Sequence, residues 1–374
     1  MSTFVDIHLI QSLPPSCVNR DDSGSPKSAL YGGVRRLRVS SQSWKRATRL
    51  YFNEHLGATD VGIRTKRVVE LLADRISTIA PDLADSALAL AEQVFSAAKI
   101  KVAPPRGKKD APAESGYLLF LSTSQINRLA EMATRAAHAG EKIDPKETKK
   151  IFKEEHAVDI ALFGRMVADD ADLNVDAACQ VAHAISTHAA ENEYDFFTAV
   201  DDEKSRAVEE DAGAGMMGTV EFSSATMYRY ATVNLDMLVE NLGDRDAALR
   251  ALGVFLEGFC LSMPTGKQNT FANRTLPDSV VVSVRDDQPV SLVGAFEKPV
   301  RTTESDGFLT RSVEALARYE HTIEENFGLK PKASFVVSLA DVPELASLGE
   351  RITFADLPGK VCEAVAHGLT PEHS

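Results

Sequence analysis

A run of cationic side chains near the N-terminus is the clearest chemical feature of this 374-residue sequence. Residues 20–49 contain eight lysines and arginines but only two acids, Asp21 and Asp22, so the segment carries a net charge of +6. The whole chain carries −13, and the rest of it therefore carries −19. A basic stripe on an acidic body is typical of proteins that bind a polyanion, because the local field matters more than the net charge.

The spacing of these cations predicts contact with a phosphate backbone. Lys45 and Arg49 are four residues apart and share a face of the helix predicted from about residue 42 to 55, and Arg46 lies beside that face. Ser40 and Ser41 are candidate N-caps, and the first amides of such a helix can meet a phosphate. Single-stranded nucleic acid requires cations along its phosphates, which this segment supplies. The alternative is a solvated cationic helix without a ligand.

Other motifs that could carry chemistry are weaker. Residues 213–218 match G-x-G-x-x-G, but an acidic run precedes them and a strand-like segment follows, whereas dinucleotide binding needs a strand and then a helix. His183 and His188 are five residues apart, which does not stack them on one helical face. No residue pattern specifies a nucleophile or an acid–base pair. The sequence therefore predicts no catalytic residue, no metal site and no cofactor.

Composition and periodicity predict a globular α+β protein. The chain is 44% hydrophobic and 25% charged, without a leader-like segment or a run of 18 apolar residues. Its four separated cysteines are typical of reduced thiols, which predicts a cytoplasmic location. Residues 4–11 alternate as in a half-buried strand. A helix-rich stretch then separates this strand from later strands at 220–234, 280–284 and 335–339, with later helices at 244–259 and 308–326. The helices predicted in the helix-rich stretch cover residues 64–79, 83–99, 122–139, 146–155 and 174–189.

Several blocks closely resemble the CasC family, the backbone subunit of the type I-E CRISPR surveillance complex, Cascade. The first is residues 15–22, continued by residues 32–47. Further blocks agree in the same order, at residues 158–166 (VDIALFGRM), 182–188 (AHAISTH), 196–202 (FFTAVDD), 221–242 and 294–298 (GAFEK). The resemblance implies an RRM-like, ferredoxin-like palm with a helical fingers insertion and a β-hairpin thumb. The implied boundaries are 1–58 and 190–374 for the palm, 59–189 for the fingers and about 193–222 for the thumb.

The resemblance also implies a function in antiviral defence. Subunits of the family stack head to tail along a guide crRNA, bind other Cascade subunits, and present the spacer for pairing with target DNA. They are not catalytic. Residues in the thumb's entry and in the Gly-Arg-Met block pack against displaced nucleotides; relatives often have Trp-Phe where this chain has Phe-Phe. The implied RNA-binding residues are Arg20, Lys27, Ser40, Gln42, Lys45, Arg46, Arg49, Met166, Phe196, Phe197, Lys267 and Gln268.

Three alternatives stay open from the sequence alone. An RNA-processing endoribonuclease on the same scaffold would use His8 or Tyr31 as its acid–base group. A metabolic enzyme would bind a nucleotide at residues 213–218. Within the family interpretation, Met166 and one phenylalanine could be core residues.

The acidic run at 191–211, with a net charge of −7, should avoid RNA phosphates and could instead dock on a neighbouring subunit.

Overall fold

The fold is known from a computed structural model that describes residues 2–57, 60–108, 111–199 and 216–368. No described helix combines the length and apolarity needed to span a membrane. The strands are β1 (Phe4–Ser16), β2 (Ser28–Tyr31), β3 (Val34–Val39), β4 (Gly62–Thr65), β5 (Val102–Ala103), β6 (Glu114–Ser115), β7 (Leu119–Ser122), β8 (Cys179–Val181), β9 (Ala184–Ser186), β10 (Glu193–Ala199), β11 (Met216–Asn234), β12 (Ser279–Arg285), β13 (Ala333–Ser338) and β14 (Glu350–Arg351). The α-helices are α1 (Ser41–His55), α2 (Val68–Ile79), α3 (Ala87–Ala97), α4 (Thr123–Ala139), α5 (Pro145–Lys153), α6 (Val158–Phe163), α7 (Leu235–Leu242), α8 (Arg245–Leu261), α9 (Gln268–Phe271), α10 (Phe308–Phe327) and α11 (Leu357–Gly368).

A single large sheet forms the palm. Its strand order is β14-β13-β12-β1-β11-β9-β3-β2, and all pairs are antiparallel except β13 with β14. One face packs against α1, α7, α8 and α11, and the other packs against α10. The α+β, RRM-like palm predicted from the sequence is confirmed.

The central strand β1 is buried on both faces, so the prediction of a half-buried strand is wrong. Val5, Ile7 and Leu9 enter the apolar core under α8, as their alternation indicates. Asp6 and His8, on the opposite face, have no exposed surface either. The polar face is buried because α10 covers it and because its charged and polar groups find partners there.

Arg285 lies between two buried carboxylates on that face. Its Nε donates to Asp6 Oδ2 at 3.0 Å, and its Nη2 lies 3.4 Å from Glu320 Oε1. Tyr230 Oη also donates to Asp6, at 2.9 Å. Because one guanidinium cannot fully offset two desolvated carboxylates, burial raises the pKa of Glu320 to about 7. Burial lowers the pKa of the nearby His8 to about 3.

We expect Glu320 to make the stability of the protein depend on pH. The unfolded carboxyl titrates near 4.5 and the folded one near 7, so between these values only the folded state keeps the proton. The stabilisation is complete below pH 4.5 and is lost as the pH rises to 7. His8 opposes this trend, because below about pH 6.5 it is protonated in the unfolded protein but not in the folded one, which destabilises the fold. The informative quantity is therefore the difference in the free energy of unfolding between wild type and Glu320→Gln. That difference should shift in favour of the variant by up to about 3 kcal/mol between pH 4.5 and 8, measured by denaturant unfolding. A pH-independent difference would contradict the expectation.

The helical insertion has its own apolar core. Helices α2, α3, α4 and α5 contribute most of it. Four of the five helices predicted in the helix-rich stretch are confirmed, each somewhat shorter than predicted. The predicted helix at 174–189 is wrong: this stretch forms β8 and β9, which pair with β11 and β3 in the large sheet. Its alanines suit a helix, but the pairing partners lie far away in the sequence and override that local preference.

A two-stranded arm rises from the large sheet. Strand β10 pairs with the first part of β11 in antiparallel register, with Phe196 opposite Thr219 and Phe197 opposite Gly218. The arm contains the predicted thumb hairpin. The segment between these two strands, which includes most of the acidic run and the first glycines of residues 213–218, lies outside the described residues.

Candidate nucleic-acid interface

Helix α1 is fixed to the sheet by a buried tryptophan–arginine stack. The Arg229 guanidinium lies 3.6 Å from the centre of the Trp44 ring and 4.6 Å from that of Phe259, and its Nη1 donates to Gln11 Oε1 at 2.6 Å. Ser40 caps the helix, because its side chain accepts from the Ser43 amide. The predicted helix is therefore confirmed to within one residue at its start.

The anchored face of α1 determines which side chains point outward. Trp44 and Phe52 are buried on the inward face, whereas Leu50 is exposed. The outward face carries the polar and cationic residues of the basic segment. These residues are Gln42, Lys45, Arg46 and Arg49.

A cleft of about 550 Å³ lies beside this face and brings Arg20 and Arg46 together. Its walls are the loop at residues 18–24, the outward face of α1 and the loop at residues 263–266; we call it the arginine cleft. Asp21 and Asp22 also line it, and the Asp21 carboxylate is turned into its own loop, where it accepts from the amides of Ser23 and Ser25. Among the described residues, neither arginine has an ion-pair partner. Both guanidinium groups are therefore available to an anion.

The loop at residues 263–266, which lines this cleft, leads directly into Lys267 and Gln268. Gly266 precedes them, and a Cβ there would stand 2.3 Å from the Val18 carbonyl oxygen, so only glycine allows this close approach. Lys267 adopts a left-handed backbone conformation, with φ of 52°. Burial raises the pKa of Cys17, and the positive charges of Arg20 and Lys267 oppose that rise.

Lys45 and Arg49 point away from the arginine cleft, toward the base of the helical insertion. Arg49 Nε donates to the buried Asp159 at 3.0 Å, and its guanidinium lies 4.4 Å from the centre of the Phe120 ring. Lys45 Nζ lies 5.5 Å from the centre of the Phe163 ring and has no ion-pair partner in the part of the chain that is described. The shared face predicted for the two is present, but only Lys45 keeps an uncompensated charge.

Lys27 belongs to a third cationic group. Arg38 Nη1 lies 3.1 Å from His183 Nδ1. Burial lowers the pKa of His183, and the charges of Arg38 and Lys27 lower it further. The histidine is therefore neutral at pH 7 and can accept from Arg38. The sequence placed His183 within a predicted helix, so its position after β8 could not be foreseen.

Met166 and the thumb phenylalanines are exposed, which rules out a core position for them in this chain. Their exposed fractions are 75% for Met166, 63% for Phe196 and 36% for Phe197. Consecutive strand residues point to opposite faces, so the two rings lie on opposite sides of the arm. Phe197 lies over Gly218, where a Cβ would stand only 2.7 Å from the ring. Phe196 shares its face with the exposed Tyr194 and Met217, two apolar residues that the sequence reasoning missed although Tyr194 is two residues from Phe196.

The groups proposed for the endoribonuclease alternative are engaged in the fold. His8 has no exposed surface, and its Nδ1 lies 2.9 Å from Tyr228 Oη. Tyr31 Oη donates to the Val293 carbonyl at 3.2 Å, and burial raises the Tyr31 pKa. Within the described ranges, no group of three histidine, cysteine or acidic residues is arranged to hold a metal ion.

The palm sheet, the helical insertion and the hairpin arm place the chain among α+β proteins built on an RRM-like palm. The chain belongs to the CT1975-like protein family, whose sequence model matches residues 5–358. No curated protein matches it.

Two solved structures are similar over nearly the whole length. A chain of a "CRISPR RNA-guided surveillance complex, pre-nicking" is 39% identical with a TM-score of 0.85, and a chain of a "CRISPR RNA-guided surveillance complex" is 33% identical with a TM-score of 0.76. Each comparison covers 96% of this chain and 99% of the other. The structural relatives are thus components of CRISPR RNA-guided surveillance complexes.

Proposed function

We propose that this chain is the guide-RNA-binding backbone subunit of a type I-E CRISPR surveillance complex, Cascade. In this role it is not an enzyme and acts in the cytoplasm. Copies stack head to tail along a crRNA, contact other Cascade subunits, and present the spacer for pairing with target DNA. The observation that carries the proposal is the cationic surface of α1 and the arginine cleft, in a chain whose solved relatives belong to RNA-guided complexes.

The geometry of the cations supports a grip on phosphates. Arg20 and Arg46 line one cleft, while Lys45 lies farther round the outward face of α1. Base pairing reads sequence in guided complexes, so the protein has to hold the backbone and leave base edges free. Cationic groups on both sides of α1 can bind successive phosphates of an RNA strand that crosses this helix.

The exposed aromatic residues of the arm support the second half of an RNA site. Single-stranded nucleic acids are held by cations and by aromatic or apolar surfaces on which bases stack. Phe196, Tyr194 and Met217 provide such a surface on one face of the arm, and Phe197 provides a ring on the other. We propose RNA contacts for the full set implied by the family resemblance, with Gln42 and Ser40 supplying polar contacts at the start of α1.

Salt titrations of RNA binding test the proposed phosphate grip. Lys45→Ala and Arg46→Ala should each weaken binding to two unrelated single-stranded RNAs by similar factors. Each should reduce the slope of log affinity against log salt by roughly 0.7, because one phosphate neutralisation is lost. The matched control is Lys360→Ala, which removes a surface lysine paired with Glu350 in another part of the palm. An unchanged slope, or a loss confined to one sequence, would contradict the proposal.

A further inference from the structure

A second cleft, of about 500 Å³, adjoins the arginine cleft, and Gln268 is the one member of the proposed RNA-binding set in its lining. It lies between the outward face of α1 and the loop that contains α9. Tyr51 and Glu54 line it on the helix side, and Asn273 and Arg274 line it on the loop side; we call it the asparagine cleft. The wall that it shares with the arginine cleft consists of Ala47, Leu50, Met263, Pro264 and Thr265.

Two buried polar side chains in this cleft lack hydrogen-bond partners among the described residues. Asn273 is 2% exposed and Ser262 is 7% exposed. Both Asn273 Nδ2 and Ser262 Oγ are buried and unpaired, and both residues line the cleft. Buried polar groups are normally satisfied, and leaving a donor unpaired destabilises a fold. Two such groups facing one cavity indicate a ligand that supplies the missing partners.

The loop that carries Asn273 is held in place before any ligand arrives. Its far end is tied to β1, because Gln11 Nε2 donates to the Thr275 carbonyl and Thr275 Oγ1 donates to the Ser12 carbonyl, each at 2.9 Å. Ala272, next to Asn273, has a φ of 45°, a strained value for a residue with a side chain. Such strain persists where the surroundings fix the backbone, and it concentrates at binding sites.

The chemistry of the cleft selects a nucleobase over a phosphate. The two charged residues in its lining, Glu54 and Arg274, have opposite signs, so it offers no net positive charge. Asn273 Nδ2 is a donor and requires an acceptor, and every one of the four bases presents an acceptor atom. The exposed Leu50 supplies apolar surface for the face of a base, and the edge of the Tyr51 ring, which is itself stacked on His55, adjoins it.

We propose that the asparagine cleft binds one base of the single-stranded RNA whose phosphates pass through the arginine cleft, with Asn273 Nδ2 donating to an acceptor of that base. The site extends the proposed function and rests on it. Because the donor suits all four bases, it adds affinity without imposing a sequence.

The test compares Asn273→Leu with wild type on fluorescently labelled single-stranded RNA. The substitution keeps the approximate shape and removes the unpaired amide, so the melting temperature should stay equal or rise. RNA affinity should fall about 3- to 10-fold, the effect of losing one hydrogen bond. One abasic residue, moved stepwise along the RNA, should weaken wild-type binding by a similar factor at one position and weaken the variant no further there.

Two further variants make this test decisive. Thr134→Val removes another buried, unpaired hydroxyl, in α4 and away from the clefts, and should leave RNA affinity unchanged. If Asn273→Leu does not fold, Ser262→Ala takes its place as the cleft variant that removes an unpaired group. If Asn273→Leu and Ser262→Ala both bind RNA with wild-type affinity, the base site is overturned and the proposed function is not. The base site is also overturned if no abasic position changes the affinity of the wild-type protein. A variant that binds short RNA normally but loses neighbouring copies on long RNA would assign the cleft to a protein partner and also overturn it. Absence of RNA binding by wild type would overturn the proposed function as well.

Discussion

Arg49→Ala is expected to lower the free energy of unfolding by about 3 kcal/mol, because it leaves Asp159 as an uncompensated buried charge. The Asp159 carboxylate accepts from Arg49 Nε and, through its other oxygen, from the Gly62 amide at 2.9 Å. These bonds join α1, the start of β4 and α6 at the base of the helical insertion. Denaturant unfolding of the isolated protein measures the loss.

The matched control for this prediction is the double variant Arg49→Ala with Asp159→Asn. It removes the buried charge together with its partner, so most of the lost stability should return. Lys45→Ala, on the same face but without an ion pair among the described residues, should cost little stability. If Arg49→Ala proves as stable as wild type, the ion pair does not hold the insertion to the palm, and Arg49 is free for phosphate.

Replacing both thumb phenylalanines with alanine should weaken RNA binding strongly and leave the melting temperature unchanged. A base stacked on an aromatic ring is worth roughly 1–3 kcal/mol, which corresponds to about a 5- to 150-fold loss for each ring that stacks. The thermal stability should hold because both side chains are exposed and neither belongs to the buried apolar core. Fluorescence anisotropy on a single-stranded RNA measures the affinity.

The single variants assign the effect to one face of the arm. Because the two rings point in opposite directions, Phe196→Ala should reproduce the loss if bases stack on the side of Tyr194 and Met217. Phe197→Ala should reproduce it if they stack on the Gly218 side. A double variant with normal affinity and normal melting temperature would reject stacking on either ring.

Local signals in the sequence were enough to predict the elements that are stable through local interactions. Helix α1 was predicted almost to the residue, because a serine cap and an apolar period coincide. The helix predicted at 174–189 failed because its true partners, β11 and β3, lie elsewhere in the sequence. Alanine composition carries no information about such pairing.

The side-chain partners in the site depended on contacts across the chain. Arg49 was predicted as a free cation, yet Asp159, which is 110 residues away, balances its charge. Asn273 drew no attention from its sequence neighbours, because its burial and its missing partner arise only when α1 folds beside the loop. The charge pattern did include both arginines of the arginine cleft, since Arg20 and Arg46 belong to the basic run at residues 20–49.

The role as a guide-RNA backbone subunit is tested most directly by the mass of complexes formed on single-stranded RNAs of increasing length. Copies that stack head to tail form an open row. The number of bound copies should therefore rise by one each time the RNA is lengthened by the stretch that one copy covers, and this should hold for RNAs of unrelated sequence. Native mass spectrometry at low salt counts the copies. Stepwise growth with RNA length is the predicted result. A constant number of copies on every length, or a closed ring of fixed size, would contradict the account.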